Sequence, residues 1–133
     1  MKPEKQTPKA LKTKAWKMMS ELVRRKYADE NGYCTCYTSN VRLPWRQMQA
    51  GHGISGRQNF VLFLEEVIKP QTYRENVAMG GNYNIFIPKL IDEYGLDQYQ
   101  EWVIESRKPF KRTKADYVAL VYELEARLGD LEG

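Results

Sequence analysis

A chain of 133 residues, 42% hydrophobic and 29% charged, is long enough to bury one core without disulfide staples and has the composition of a globular domain. No run approaches the roughly 18 uninterrupted apolar residues of a membrane span, and the Lys-rich opening lacks the apolar centre of a signal peptide. The expectation is one cytoplasmic domain with no membrane partner. The net charge is +4, but residues 1–27 hold nine Lys or Arg against two Glu, while the remainder holds twelve against fifteen acidic groups. Such bias favours a polyanionic partner, because each neutralised phosphate releases condensed counterions. A solvated basic face is the plainer alternative.

In chain order, residues 1–8, with Pro3 and Pro8, read as a flexible basic arm. From Lys9 to Asp29, Leu11, Ala15, Met19, Leu22, Val23 and Tyr27 recur at three- and four-residue intervals, which predicts an amphipathic helix over 9–29. Asn31-Gly32 stops it. Tyr33 to Trp45, rich in Tyr, Thr and Val with a turn near Ser39-Asn40, predicts a β-hairpin or knuckle. A second extended stretch runs through His52, where Gly51, Gly53 and Gly56 leave the backbone free to bend. Cys34 and Cys36 read as reduced thiols.

The C-terminal half predicts helices. Asn82 to Tyr94 ends at Gly95, with Pro88 requiring a kink or a late start, and Leu96 to Lys108 forms a shorter helix. Thr113 with Asp116 approximates a capping box ahead of the stripe Tyr117, Leu120, Val121, Leu124 and Leu128. These stripes predict core packing that holds the middle of the chain in place.

The chemistry-bearing residues lie in that middle. Gln49-Ala50-Gly51-His52 follows Cys36-Tyr37-Thr38-Ser39 and precedes Thr72-Tyr73-Arg74-Glu75-Asn76. With cysteine at 39, 72 and 75, this would be two C-x-x-C pairs bracketing a histidine, the layout of a zinc-stapled ββα nuclease. Together with Leu11-Lys12-Thr13-Lys14-Ala15-Trp16-Lys17, Ala28-Asp29-Glu30-Asn31-Gly32-Tyr33, Trp45-Arg46-Gln47-Met48, and Gly81-Asn82-Tyr83, it resembles the phage NinG (Rap) recombination proteins over nearly the whole chain. The knuckle layout is also similar to the phage endonuclease VII resolvases.

The resemblance implies an α+β fold: a single domain over 9–133 with a small ββα-metal (His-Asn-His) core at 33–82, a long N-terminal helix and a helical part at 83–130. It implies a metal-dependent, structure-specific endonuclease acting on branched recombination intermediates. His52, the only histidine, would be the general base and, with Asn76, one of the residues at the divalent ion, its ordinary pKa of about 6.5 suiting the base role. Asn76 would hold Mg²⁺ or Mn²⁺ through a hard amide oxygen. Zinc is not expected, since of Cys36, Ser39, Thr72 and Glu75 only one is a thiol; Glu75 is instead expected to pair with Arg42 or Arg74. Two positions depart from the wider pattern: Gly51, where many related nucleases carry a metal ligand, and Val67, near the expected middle asparagine, with Asn59 the nearest substitute. Lys12, Lys14, Lys17, Arg24, Arg25 and Arg57 are the expected nucleic-acid contacts, with Lys69 and the Lys108 to Lys114 cluster held in reserve. A two-fold junction would suit a homodimer. The alternatives are a catalytically inactive pseudo-nuclease that binds DNA or inhibits another protein, and a zinc-free redesigned scaffold.

Overall fold

The computed structural model describes residues 1–56 and 60–132, so Arg57 and Asn59 lie outside the described residues. Helix α1 spans Pro8–Lys26. Thr7 caps it by accepting the Ala10 amide at 3.1 Å, and Pro8 fits the first turn, where its missing N–H costs nothing. The stripe Leu11, Ala15, Met19, Leu22 and Val23 is buried, as its spacing predicts, but the helix stops at Lys26 rather than Asp29 and Tyr27, just past its end, is exposed. Helix α4, Lys114–Glu132, opens on the predicted box: Thr113 Oγ1 accepts from the Asp116 amide at 3.1 Å and Asp116 accepts from the Thr113 amide at 2.8 Å. The two helices run in the same direction, since Lys14 pairs with Glu125 and Arg25 with Glu132. Their facing stripes, with Ala50 and Ile68, form the largest apolar cluster. Ahead of α1, Pro3–Lys5 form one 3-10 turn with Pro3 buried. The Tyr122 hydroxyl donates to Glu4 at 2.8 Å, so this part of the expected flexible arm is docked on α4.

Strands β1 (Tyr33–Thr35) and β2 (Arg42–Pro44) form the expected hairpin. Its turn closes with the Asn40 amide on the Cys36 carbonyl at 3.0 Å and Asn40 left-handed at φ 65°. Strand β3 (Gln49–His52) pairs antiparallel with β4 (Ile68–Gln71), Gln49 opposite Gln71 and His52 opposite Ile68. A five-residue π turn, Arg74–Ala78, follows at once. Helices α2 (Tyr83–Tyr94) and α3 (Leu96–Ser106) complete the chain between the π turn and α4. Pro88 lies inside α2, so the late start does not occur. The result is an α+β fold of helices around two small antiparallel strand pairs.

Two smaller clusters flank the β3–β4 pair. Ile54, Val61 and Val67 pack on Phe86 and Leu90 of α2, and Cys34, Cys36 and Met48 sit beneath the β1–β2 hairpin. Both cysteines are unbridged and buried. Gly53 is demanded by packing: a Cβ there would stand 2.2 Å from a Leu90 methyl and 2.7 Å from the Phe86 ring.

Candidate active site around His52 and Asn76

Alternation along β3 divides its side chains between two faces. Ala50 joins the cluster against α1, and His52, 7% exposed, stacks on Trp16 of α1 with centroids 4.8 Å apart and planes at 27°. The His52 Nε2 lies 3.0 Å from the Leu62 carbonyl oxygen. A carbonyl only accepts, so Nε2 carries a hydrogen, and in the neutral ring the lone pair belongs to Nδ1. Trp16 and Leu62 thus fix both the plane and the tautomer of the imidazole.

Gln49 and Gly51 occupy the other face. There the Asn76 side chain, carried by the π turn, donates through Nδ2 to Gln49 Oε1 at 2.8 Å. Its Oδ1 consequently points at Gly51: a Cβ built on Gly51 would lie 3.0 Å from it. The same Cβ would fall 1.8 Å from Gln71 Oε1. Gln71 is fully buried, and its Nε2 donates to Thr38 Oγ1 at 3.0 Å and to the Gly81 carbonyl at 2.9 Å. Its Oε1, fixed by those two bonds, has no hydrogen-bond partner among the described residues. The space a ligating side chain at position 51 would enter therefore already holds two carboxamide oxygens. His52 and Asn76 share a cleft of about 440 Å³ that is also lined by Ser55, Gly80 and Tyr83.

The four degenerate zinc positions are drawn together by hydrogen bonds. Cys36 Sγ accepts the Thr72 amide at 3.4 Å and lies 3.6 Å from Thr38 Oγ1. Burial pushes this thiol up, but hydrogen bonds from the Ser39 hydroxyl and from Thr72 and Thr38 outweigh it and hold it below its ordinary value. Thr72 Oγ1 accepts the Glu75 amide at 3.3 Å, and Glu75 accepts Asn82 Nδ2 at 2.8 Å. Arg42 pairs with Asp29, not with Glu75. Because Thr38 Oγ1 accepts from Gln71 while facing Cys36 Sγ, the knuckle and the His52 cleft are joined by one chain of polar contacts.

In comparisons with known proteins, no family model matches the chain. Nor does any curated protein or solved structure match it significantly. Geometry and sequence carry the functional reading.

Of the expected nucleic-acid contacts, Lys12 and Lys17 make no ion pair among the described residues, while Lys14 faces Glu125 at 3.6 Å. Arg24 and Arg25 are committed within the fold. Arg24 donates to the Ser20 and Trp45 carbonyls at 3.0 and 3.3 Å, and Arg25 bonds Glu21 and Glu132 at 3.1 and 3.2 Å. Lys69 is 1% exposed, so it presents nothing to an external phosphate. Its Nζ meets the Tyr27 and Tyr94 hydroxyls at 3.0 Å each and Glu93 at 3.1 Å. Val67 is buried in the second apolar cluster and contributes only its carbonyl, which accepts the Gly53 amide at 2.8 Å. Trp16 and Gln49 stand in the motifs without an assigned role there, and Leu62 and Gln71 lie outside them. Counting back from His52 at strand period would have placed Gln49 and Gly51 on one face.

Proposed function

We propose that the chain is a metal-dependent endonuclease acting on branched DNA, with His52 as general base and Asn76 as the group that holds the divalent ion. One observation carries the reading: β3 pairs with β4, the π turn follows β4 after two intervening residues, and His52 of β3 and Asn76 of the π turn line a single cleft. The resemblance to the NinG recombination proteins supplies the substrate class.

The donor set suits a hard cation. No group of three His, Cys, Asp or Glu that could hold a metal occurs among the described residues. Of the two amide oxygens near Gly51, that of Asn76 belongs to a residue lining the cleft, whereas Gln71 is fully buried and outside its lining. Amide oxygens fit Mg²⁺ or Mn²⁺, which retain several waters and take few protein ligands. Asn76, which lines the cleft, would hold the ion, and the bound ion would neutralise charge developing on the phosphate. His52, its ring held by Trp16 and by the Leu62 carbonyl, would take the proton of the attacking water, while Gln49 fixes the Asn76 amide. The knuckle offers one thiol and a carboxylate already bonded to Asn82, a poor zinc set.

The shallow exposure of His52 favours a second reading, DNA binding without cleavage. A four-way junction incubated with Mn²⁺ separates the two. Cleavage by the wild type, lost in His52→Ala and strongly reduced in Asn76→Ala, is the expected result. Tight binding with no cleavage in any metal would leave the second reading standing.

A further inference from the structure

Away from the cleft, the start of α1 and the segment joining α3 to α4 enclose a groove of about 380 Å³. Lys9 and Lys12 line one wall, Lys111 and Arg112 the other, and Leu62 lies between them. Lys9, Lys12 and Lys111 make no ion pair among the described residues. Arg112 is anchored with its guanidinium 4.8 Å from the centres of the Phe63 and Phe110 rings and its Nη2 3.4 Å from the Phe60 carbonyl. The nearby carboxylate of Asp116 is taken up by the Thr113 amide. Four cations therefore face one another across a groove with no acidic group in its lining, an arrangement stable only if an anion or solvent neutralises it.

We propose that this groove holds the sugar–phosphate backbone of the nucleic-acid strand that runs on from the cleft, with Lys9, Lys12, Lys111 and Arg112 on its phosphates. The assignment rests on the nucleic-acid reading above and gives that reading a path. Lys9, Lys12 and Trp16, at i, i+3 and i+7, share one stripe of α1, and Trp16 carries the His52 ring. At 1.5 Å per residue, Lys12 and Lys9 lie about 6 and about 10 Å along the axis from Trp16. That span is on the order of two to three steps of a strand rising 3.4 Å per nucleotide. Leu62 makes the second connection, being part of the groove lining while its carbonyl holds His52 Nε2. Lys14 and Lys17 line a neighbouring depression of about 680 Å³ with Thr13 and Met18, which Lys9 borders as well.

The test uses the full chain and a fluorescein-labelled four-way junction, read by anisotropy across a sodium chloride series. The triple variant Lys9→Gln, Lys12→Gln, Lys111→Gln removes only solvent-facing charge, and circular dichroism checks its fold. The expected result is a loss of at least tenfold in low-salt affinity and a salt slope shallower by about 3, since each phosphate contact contributes about 0.9. Lys14→Gln with Lys17→Gln is expected to lose less than half as much. An unchanged slope in the triple variant, or an equal loss in the Lys14, Lys17 pair, overturns the groove. If binding falls as expected but the wild type never cuts, the groove stands and the endonuclease reading fails. Cleavage with an unaltered triple variant has the opposite meaning.

Discussion

Replacing Gly51 with Ala tests the cleft most directly, because the added methyl has nowhere to go. Its carbon would stand 1.8 Å from Gln71 Oε1 and 3.0 Å from Asn76 Oδ1. The Gln71 amide cannot swing aside without surrendering its bonds to Thr38 and the Gly81 carbonyl. Overpacking a core site costs about 1–3 kcal/mol, and each buried polar group left unsatisfied costs about 1–3 kcal/mol more. Partial relaxation of the strand offsets some of this, so the expected loss is about 2–4 kcal/mol, read as a fall in the urea midpoint at constant slope. The double variant Gly51→Ala, Gln71→Ala makes room for the methyl and is expected to recover more than 1 kcal/mol relative to the sum of the single changes. A Gly51→Ala protein within about 0.5 kcal/mol of wild type, with no coupling to Gln71, would refute the close approach of these groups.

Glu65 binds Arg127 at 2.6 and 2.9 Å and Lys26 at 2.6 Å, and the Arg127 fork, helped by Lys26 against the effect of burial, holds its carboxyl down from 4.5 to about 2. A carboxyl depressed in the folded state stabilises fully above its unfolded value and loses that contribution as pH falls through its folded value. At 1.36 kcal/mol per pH unit, discounted for the exposed partners, wild-type stability should drop by about 1–2 kcal/mol more than that of Glu65→Gln between pH 5 and about pH 2; parallel pH profiles would refute it. Lys69→Met strips the charge from a site where two tyrosine hydroxyls and Glu93 outweigh the effect of burial and raise the lysine above its ordinary value. A loss of about 2–3 kcal/mol is expected by chemical denaturation, and a neutral result would show the cage to be incidental. Combining Ser39→Cys, Thr72→Cys and Glu75→Cys should create a zinc-dependent melting transition, because those positions are already gathered near Cys36; a melt indifferent to zinc and chelator would mean the four side chains do not meet.

How much of this was legible depended on whether the deciding partner lay nearby in sequence. The stripes of α1 and α4, and the Thr113–Asp116 box, are local patterns and formed where they were read. Strand β4 escaped notice because Ile68-Lys69-Pro70-Gln71 contains a proline and a lysine, both poor strand signals. The proline is tolerated in a two-strand pair, and the lysine is buried by Tyr27, Tyr37 and Tyr94, tyrosines remote from it in the chain. At the cleft, the motif marked His52 and Asn76. It gave no role to Trp16 or Gln49, which stand within it, and did not include Gln71; their roles arise from alternation across β3 and β4 and from a helix some thirty-five residues upstream of His52. Arg24 and Arg25 show the limit of counting charge: both contribute to the basic N-terminal balance, yet one is turned onto Trp45 and the other onto two carboxylates.

The co-directional pairing of α1 and α4 has a consequence for synthesis. The largest apolar cluster joins Leu11 through Val23 to Val121 and Leu124, so about a hundred residues must be made before its second half exists. At 5–20 residues per second, that is roughly 5–20 s in which the stripe of α1 has no permanent partner. Contacts of such sequence separation also slow folding after release. A nascent chain, or one stopped short of Val121, would already contain His52 and Asn76 but not the core that seats Trp16 behind the histidine. The α1 stripe that carries Trp16 is therefore expected to gain its full packing only once α4 has been made.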